Sequence, residues 1–425
     1  MANRVRFFLT LLCLSQFAFI PTLVSAGDTW PRFGGPNGIA VVRDTKLPVQ
    51  WTDKNILWKV KVPGIGNSSP VVWKDRIFFQ TATKDATARM LLCLDANNGK
   101  TLWKKGLSGG KALEMGKERR HKMNTYASST PATDGERVYA AFWDGKHIHL
   151  QAYDFSGKKL WAHDLGEWKS EHGAGASPVV YRDLVYFSNH MDGKCTLYAF
   201  SAKTGDIAWE QARPAYRACY SAPFLWERDG KKEIVLTSSL FFNGYDPKTG
   251  KQQWSWKWQK KGGSALRVTG SAVFVDNVVC SYGGSGGGRR IAAAIKVSGK
   301  GPEATTGLVW KKKSLVPYVP TMIPYNGNFY CVHDRGYAGC FDAKTGREIW
   351  YHRVEGAKFT SSPVLVGGKM YAPTEQGEVC VFEIGPNFNI LARNQLGERF
   401  RASPAVANNR MYLRGRDHLF CIGTK

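Results

Sequence analysis

The sequence predicts an all-β protein, an eight-bladed β-propeller of four-stranded blades whose ring is closed by an N-terminal strand completing the last blade. Three observations carry that prediction. A phrase ending in tryptophan recurs as "LDANNGKTLW" (94–103), "FSAKTGDIAW" (200–209), "YDPKTGKQQW" (245–254) and "FDAKTGREIW" (341–350), with a shorter "YDFSGKKLW" at 153–161. A second phrase, typified by "SPVVWKDRIFF" (69–79) and "SPVVYRDLVYF" (177–187), recurs between copies of the first. Finally, 45 glycines and 15 tryptophans in 425 residues combine many tight turns with many large flat anchors, as short-stranded β structure requires.

The first 26 residues differ from the rest. Arg4 and Arg6 precede an apolar run from Phe7 to Ile20, and Val24-Ser25-Ala26 offers a small-residue cleavage site. This pattern predicts a signal peptide over 1–26 and export to the periplasm or beyond. Cys13 follows Leu12 rather than a small residue, so no lipoprotein cleavage site is expected. No later stretch is apolar enough to cross a bilayer as a helix, so no transmembrane segment is expected after cleavage. Residues 27–50 read as an N-terminal extension and 51–425 as the propeller.

Within the propeller, each Ser-Pro phrase supplies two strands, A and B, joined by a turn rich in Asp, Gly and Asn. Strand C ends at the Asp of the tryptophan phrase, and strand D carries the Trp. The proline positions fall at 70, 131, 178, 223, 272, 322, 363 and 404, spaced by 61, 47, 45, 49, 50, 41 and 41 residues, the length of one blade. The D strands after these phrases carry Trp103, Trp161, Trp209, Trp254, Trp310, Trp350 and, in a degenerate copy, Ala392. The eighth phrase ends in "HLFCIGTK" with no D strand, whereas "NILWKVKV" (55–62) has no phrase before it. The N-terminal strand is thus predicted to complete the last blade, which removes the open edges. Within 341–350, Asp342 is expected to accept N–H bonds in the turn. Gly346 supplies a positive φ, and Trp350 lies against a neighbouring blade.

Eight cysteines follow the leader, with no CxxC and no adjacent pair. Cys93, Cys340, Cys380 and Cys421 recur at one point of the repeat, as small apolar strand residues do. Cys331 and Cys340 flank a short hairpin, where they would face each other as a reduced buried pair or as a disulfide. The formal charge is +25, which outside the cytoplasm favours acidic lipid headgroups, polysaccharide or cell wall as readily as nucleic acid. No nucleic acid is expected.

The Asp-x3-Gly-x3-Trp phrase resembles the tryptophan-docking repeat of pyrroloquinoline quinone (PQQ) propellers, shared by quinoprotein alcohol dehydrogenases and the BamB-like lipoproteins of outer-membrane β-barrel assembly. "TWPRFGGPNGIAV" (29–41) is similar to the opening of exported PQQ-like repeat proteins. The resemblance covers 29–425 and implies the fold more strongly than an activity. Those dehydrogenases use a vicinal disulfide and a Glu/Asn/Asp set that holds Ca²⁺, neither of which matches this chain. The expectation is therefore a non-catalytic, BamB-like binding or scaffold protein of the cell envelope without a cofactor. The alternatives are a quinoprotein-type oxidoreductase with a divergent site for PQQ and Ca²⁺, and an envelope protein binding acidic polymer.

Propeller ligands sit at the loops entering each innermost strand. Arg217, Arg267, Lys358, Arg399 and Arg401, with His172, Asn124 and Tyr126, precede the Ser-Pro phrases and are the candidate site for an anionic ligand. As rim charges they would instead be solvated or make cross-blade bonds. The insertion 104–126 packs Lys117, Arg119, Arg120, His121 and Lys122 together, a candidate surface for a protein partner or a lid. "YGGSGGGRR" (282–290) reads as a strand-joining turn, since no Gly-Lys-Ser/Thr follows. His147 and His149 share one strand face without an identified third ligand. His190 and Asp192 have no convincing nucleophile beside them. The sequence assigns no catalytic residue, no metal site and no oligomeric state.

Overall fold

The computed structural model describes residues 26–108, 120–214, 216–262 and 265–424. The expected signal peptide lies outside the described residues apart from Ala26. Among the described residues, four-stranded antiparallel meanders follow one another at 71–108, 132–167, 179–212, 224–257, 273–312, 323–353, 364–395 and 405–423. The last of these is completed by Ile56–Lys61, which pairs antiparallel with His418–Gly423 and places Trp58 opposite Cys421. They are blades 1 to 8, with strands A to D as read from the repeats. No helix among the described residues is long and apolar enough to cross a membrane.

The Ser of the Ser-Pro phrase proves to be the inner fastening of the ring. Ser403 N–H donates to Ser69 Oγ at 2.9 Å, Ser69 N–H to Thr130 Oγ1 at 3.0 Å, and Thr130 N–H to Ser177 Oγ at 3.0 Å. Ala222 N–H donates to Ser271 Oγ, Ser271 N–H to Thr321 Oγ1, Thr321 N–H to Ser362 Oγ, and Ser362 N–H to Ser403 Oγ. Each blade thus bonds the next, from blade 8 on to blade 1, and the chain of bonds stops only at Ala222, which has no hydroxyl for Ser177. Restoring it with Ala222→Ser is expected to add about 1 kcal/mol of stability, read by urea unfolding. No gain, or a loss, would mean the site has no room for the hydroxyl.

Tryptophans fasten the outer rim. The indole N–H of Trp58, Trp103, Trp161, Trp209, Trp310 and Trp350 donates to a carbonyl in the next blade's C–D turn, on Ala96, Phe155, Ala202, Pro247, Ala343 and Gly385 respectively. In blades 1, 2, 3, 4 and 6 the turn glycine lies against the incoming ring, which is 2.5–3.0 Å from where a Cβ would stand. In the 341–350 phrase, Asp342 Oδ1 accepts the N–H groups of Lys344 and Thr345 as expected. Gly346, at φ +68°, is doubly required, because a Cβ there would stand 2.7 Å from the Trp310 ring.

Trp254 breaks the pattern. Blade 5 has no Asp-x3-Gly turn, and Trp254 instead donates to Glu233 Oε2 of its own blade at 2.6 Å.

One sequence expectation is overturned. Cys331 stands opposite Gly339 and Cys340 opposite Tyr330. Adjacent residues point to opposite sheet faces, so the two thiols enter different layers of core instead of facing each other. All eight described cysteines are buried and free.

The extension forms a strap across the turn side of the ring. Thr29–Trp30 adds to strand A of blade 1, and Val41–Val42 adds in parallel to strand A of blade 7. Between them "PRFGGPNG" coils tightly, with Gly34, Gly35 and Gly38 all near φ +75°. Gly35 is pressed on the Trp30 indole, and Arg32 is buried with Nε donating to the Gly35 carbonyl at 3.3 Å.

Candidate functional site

The loops that run from strand D of one blade to strand A of the next meet at the mouth opposite the strap. The described end of the insertion, residues 120–126, lies over this mouth and ties three loops together. Asn124 Nδ2 donates to the carbonyls of His172 and Ala174 in the loop before blade 3, at 2.7 and 3.0 Å. The His121 N–H also reaches His172 O, and the two imidazole rings stand 5.4 Å apart. From the loop before blade 8, Arg401 Nη1 donates to the Met123 carbonyl at 3.3 Å. Arg401 is itself held by Glu375, through Nε at 3.3 Å and Nη2 at 3.0 Å.

A second bridge joins the loops before blades 3 and 5. The Arg267 guanidinium, almost wholly buried, pairs with Glu171 Oε2 at 2.6 Å. That bond and the charge of Arg267 hold the Glu171 carboxyl below its ordinary range, with smaller help from His172 and Arg217. Glu171 therefore links the two groups of cations.

The crowding of positive charge has a titration signature. Burial lowers the pKa of His121, and the charges of His172, Lys122 and Arg401 lower it further. Arg399, exposed beside Arg401, is lowered by desolvation and then by that neighbour's charge. His172 Nδ1 is buried and has no hydrogen-bond partner among the described residues.

The mouth thus brings together Arg401, Arg399, His121, Lys122, His172 and Asn124, with Arg217 and Arg267 alongside. Two predicted members are held by other contacts. Tyr126 is buried, stacked on Trp143 at 5.0 Å, and carries the Arg89 and Arg120 guanidinium groups over its ring, so it props the loop from below. Lys358 is exposed, and its backbone N–H is the group held, by Gln376 Oε1 at 2.8 Å. Lys117 and Arg119 lie outside the described residues. Sequence reasoning missed Glu171 and Glu375, the acids that fix the two buried arginines. Their only sequence signal is position, since Glu171 directly precedes a residue already singled out.

The other motifs have structural partners. His147 pairs with Asp164 at 2.7 Å and His149 with Asp144 at 2.9 Å. His190 is buried against the Arg213 guanidinium, 3.0 Å from its Nδ1, which with desolvation keeps the imidazole neutral. Asp192 Oδ1 accepts the Ala218 N–H. The glycine stretch after residue 282 joins strands B and C of blade 5, and Arg290 following it pairs with Asp334 at 2.5 Å.

Comparison with known proteins matches residues 26–154, 89–352 and 334–422 to the family model described as outer membrane protein assembly factor BamB. The structure is similar to that of BamB from Moraxella catarrhalis, with a TM-score of 0.59, 14% identity, and coverage of 86% of this chain and 96% of that one. It is also similar to a europium-containing methanol dehydrogenase, at TM-score 0.68 and 10% identity, covering 93% and 98% of the two chains. A quinohemoprotein alcohol dehydrogenase from Comamonas testosteroni gives TM-score 0.64 and 12% identity, over 96% and 82%. At these identities the likenesses show the fold. Among curated proteins, the tetrathionate hydrolase of Acidithiobacillus ferrooxidans is 26% identical over 202 residues, which is 46% of this chain and 38% of that protein's length.

Proposed function

The chain belongs to the family of outer membrane protein assembly factor BamB, and from that premise we propose an exported, non-catalytic propeller of the cell envelope that works by binding. Its roofed mouth receives an acidic segment of a protein partner or a small anionic ligand. The observation that carries this reading is the like-charge crowding at the mouth. Arg399, Arg401, Lys122 and His121 arrive from the loops before blades 8 and 2; besides burial, the charges of Lys122 and Arg401 hold down the pKa of His121, and that of Arg401 holds down Arg399. Such a cluster attracts an anion, which relieves the repulsion it stores.

The sign of the pH dependence follows. A histidine whose pKa lies below its ordinary value is largely neutral at pH 7 and charges as the pH falls. Binding of an anion favours the charged form, so affinity is expected to rise from pH 8 to pH 5. Fluorescence anisotropy with a labelled hexa-aspartate peptide reads this directly. Arg399→Ala, at an exposed position, is expected to weaken binding roughly tenfold. Equal affinity across the pH range and in that variant would remove the mouth as the site.

PQQ does not suit these residues. No two cysteines are adjacent in the chain. Among the described residues no three His, Cys, Asp or Glu side chains gather as a cation cradle. Adding PQQ with Ca²⁺ is expected to give neither heat of binding nor alcohol- or sugar-dependent dye reduction. Either signal would restore the oxidoreductase reading.

A second reading has one observation in its favour. The partial relative named for tetrathionate hydrolysis, set beside the cationic mouth, makes a sulfur dianion a fitting small ligand. Tetrathionate competing with the acidic peptide would support it, and consumption of tetrathionate would turn the protein into an enzyme.

A further inference from the structure

The side of the ring opposite the mouth holds a groove of about 590 Å³, open to solvent, outside the site described above. The strap lies on the turns of blades 8, 1 and 7 and takes the Thr133 N–H of blade 2 on its Pro31 carbonyl at 2.8 Å, and the groove runs on from there over the A–B turns of blades 3 to 5.

The strap itself shows how this surface takes up a chain. Strand A of blade 1 closes on a two-residue turn, Trp73 opposite Arg76, so the preceding Val72 turns its N–H and C=O toward the ring axis. Val72 is the residue that Trp30 of the strap pairs with. In blade 7, Val366 stands opposite Lys369, and the preceding Leu365 donates its N–H to the strap's Ala40 carbonyl at 2.8 Å. The same register recurs in blade 3, with Tyr181 opposite Leu184, and in blade 5, with Val275 opposite Val278. The equivalent inward residues are Val180 and Phe274, and both line the groove. Strands A of blades 3, 4 and 5 are edge strands of their sheets. They are the unfilled counterparts of the edges the strap pairs with in blades 1 and 7.

The side chains around these edges define the occupant. Val180, Leu225, Phe274, Trp73 and Tyr181 are half-buried, a wall for apolar side chains. The Tyr181 ring carries the Arg182 guanidinium at 5.3 Å and the Lys232 ammonium at 5.1 Å. Arg32 is buried at the strap side, and no carboxylate among the described residues pairs with it or with Arg182. The acids present are engaged, Asp134 by Arg137 and the Tyr139 hydroxyl, and Glu227 by Lys232 at 3.5 Å.

We propose that this groove is a second binding site, which takes an extended segment of a partner protein as an added strand on the inner edges of blades 3 to 5. The segment alternates apolar residues with carboxylates. Main-chain bonds to Val180 and Phe274 supply the pairing, the aromatic wall takes one face, and Arg182, Lys232 and Arg32 take the other. The site is independent of the loop-side mouth, and variants in one leave the other untouched.

The experiment is a selection of displayed decapeptides, with a matched library carrying Lys in place of Asp and Glu, against the purified protein. Enriched acidic-apolar alternating peptides are expected, binding at least tenfold more weakly to Val180→Pro, which removes the groove-facing N–H, and to Arg182→Glu. Val180→Pro is checked for an unchanged thermal midpoint. Should it unfold, Arg182→Glu at its exposed turn carries the test alone. Enrichment of the lysine library, no enrichment, or peptides indifferent to Arg182→Glu would each overturn the proposal. Loss on Arg399→Ala instead would place the peptides at the loop-side mouth and equally overturn it.

Discussion

Replacing Trp161 by alanine is expected to cost about 3–5 kcal/mol of unfolding free energy, the range for emptying a buried tryptophan site. The ring joins blade 2 to blade 3. It covers Gly205, stacks on Phe200 with centroids 6.2 Å apart, leans on Tyr139, and donates to the Ala202 carbonyl at 3.1 Å. Trp161→Phe retains much of the area and loses the indole N–H bond, an expected cost nearer 1 kcal/mol. The sharper test is coupling. Gly205 sits at φ +82°, and a Cβ on it would stand 2.7 Å from the Trp161 ring. Gly205→Ala is therefore destabilising twice, through backbone strain and through overlap. With Trp161 already alanine the overlap vanishes, so the double variant should lose less than the two single losses added. Strict additivity in urea titrations would show that ring and glycine do not form one joint.

Glu233→Ala should be comparably damaging, at about 3–5 kcal/mol, because it removes the buried partner of a buried charge and leaves Arg228 only the exposed Asp229 carboxylate at 3.3 Å. Arg228 and Glu233 pair at 3.0 Å with side chains 5% and 8% exposed. The Glu233 carboxylate also accepts the Trp254 N–H at 2.6 Å, and Arg228 lies 5.2 Å over the Trp226 ring and donates to the Gly299 carbonyl. Through Arg228 this network reaches the C–D connection of blade 5 at Gly299, the kind of turn the tryptophan itself reaches elsewhere. Removing both charges together as Arg228→Met with Glu233→Leu is expected to cost far less than Glu233→Ala alone. A mild loss for the single alanine would mean that water reaches Arg228.

Both expectations rest on joints of differing legibility. Recurrence disclosed the tryptophan joints, because a blade has one length and most of its turns repeat one plan, with Ser201 standing for the Asp in blade 3. The exception at Trp254 was not legible, because blades 3 and 7 also lack Asp-x3-Gly and still accept Trp161 and Trp350. Nor could the partner chosen instead be read, since Glu233 lies 21 residues away on another strand. The Ser of each Ser-Pro phrase was visible as a repeat, but its purpose was not. A hydroxyl that bonds to the neighbouring blade has no trace within its own.

The candidate site divides in the same way. The loops entering strand A could be located by counting, and they do carry Arg401, Arg399, His121 and His172 to one mouth. Tyr126, at a matching offset, turned into the core because Trp143 offers a stacking surface. Cys331 and Cys340 seemed to face each other until the hairpin register set them on opposite sides of the sheet.

By itself, the sequence determined the all-β class, the blade count, the strand that completes blade 8, and the tryptophans that dock six of the blades on the next. These are periodic, and a period survives in one dimension. Tertiary structure alone decided which acids neutralise Arg267 and Arg401, and where the strap leaves inner edges open. Those outcomes depend on contacts between loops of different blades, where distance along the chain says nothing about distance in space.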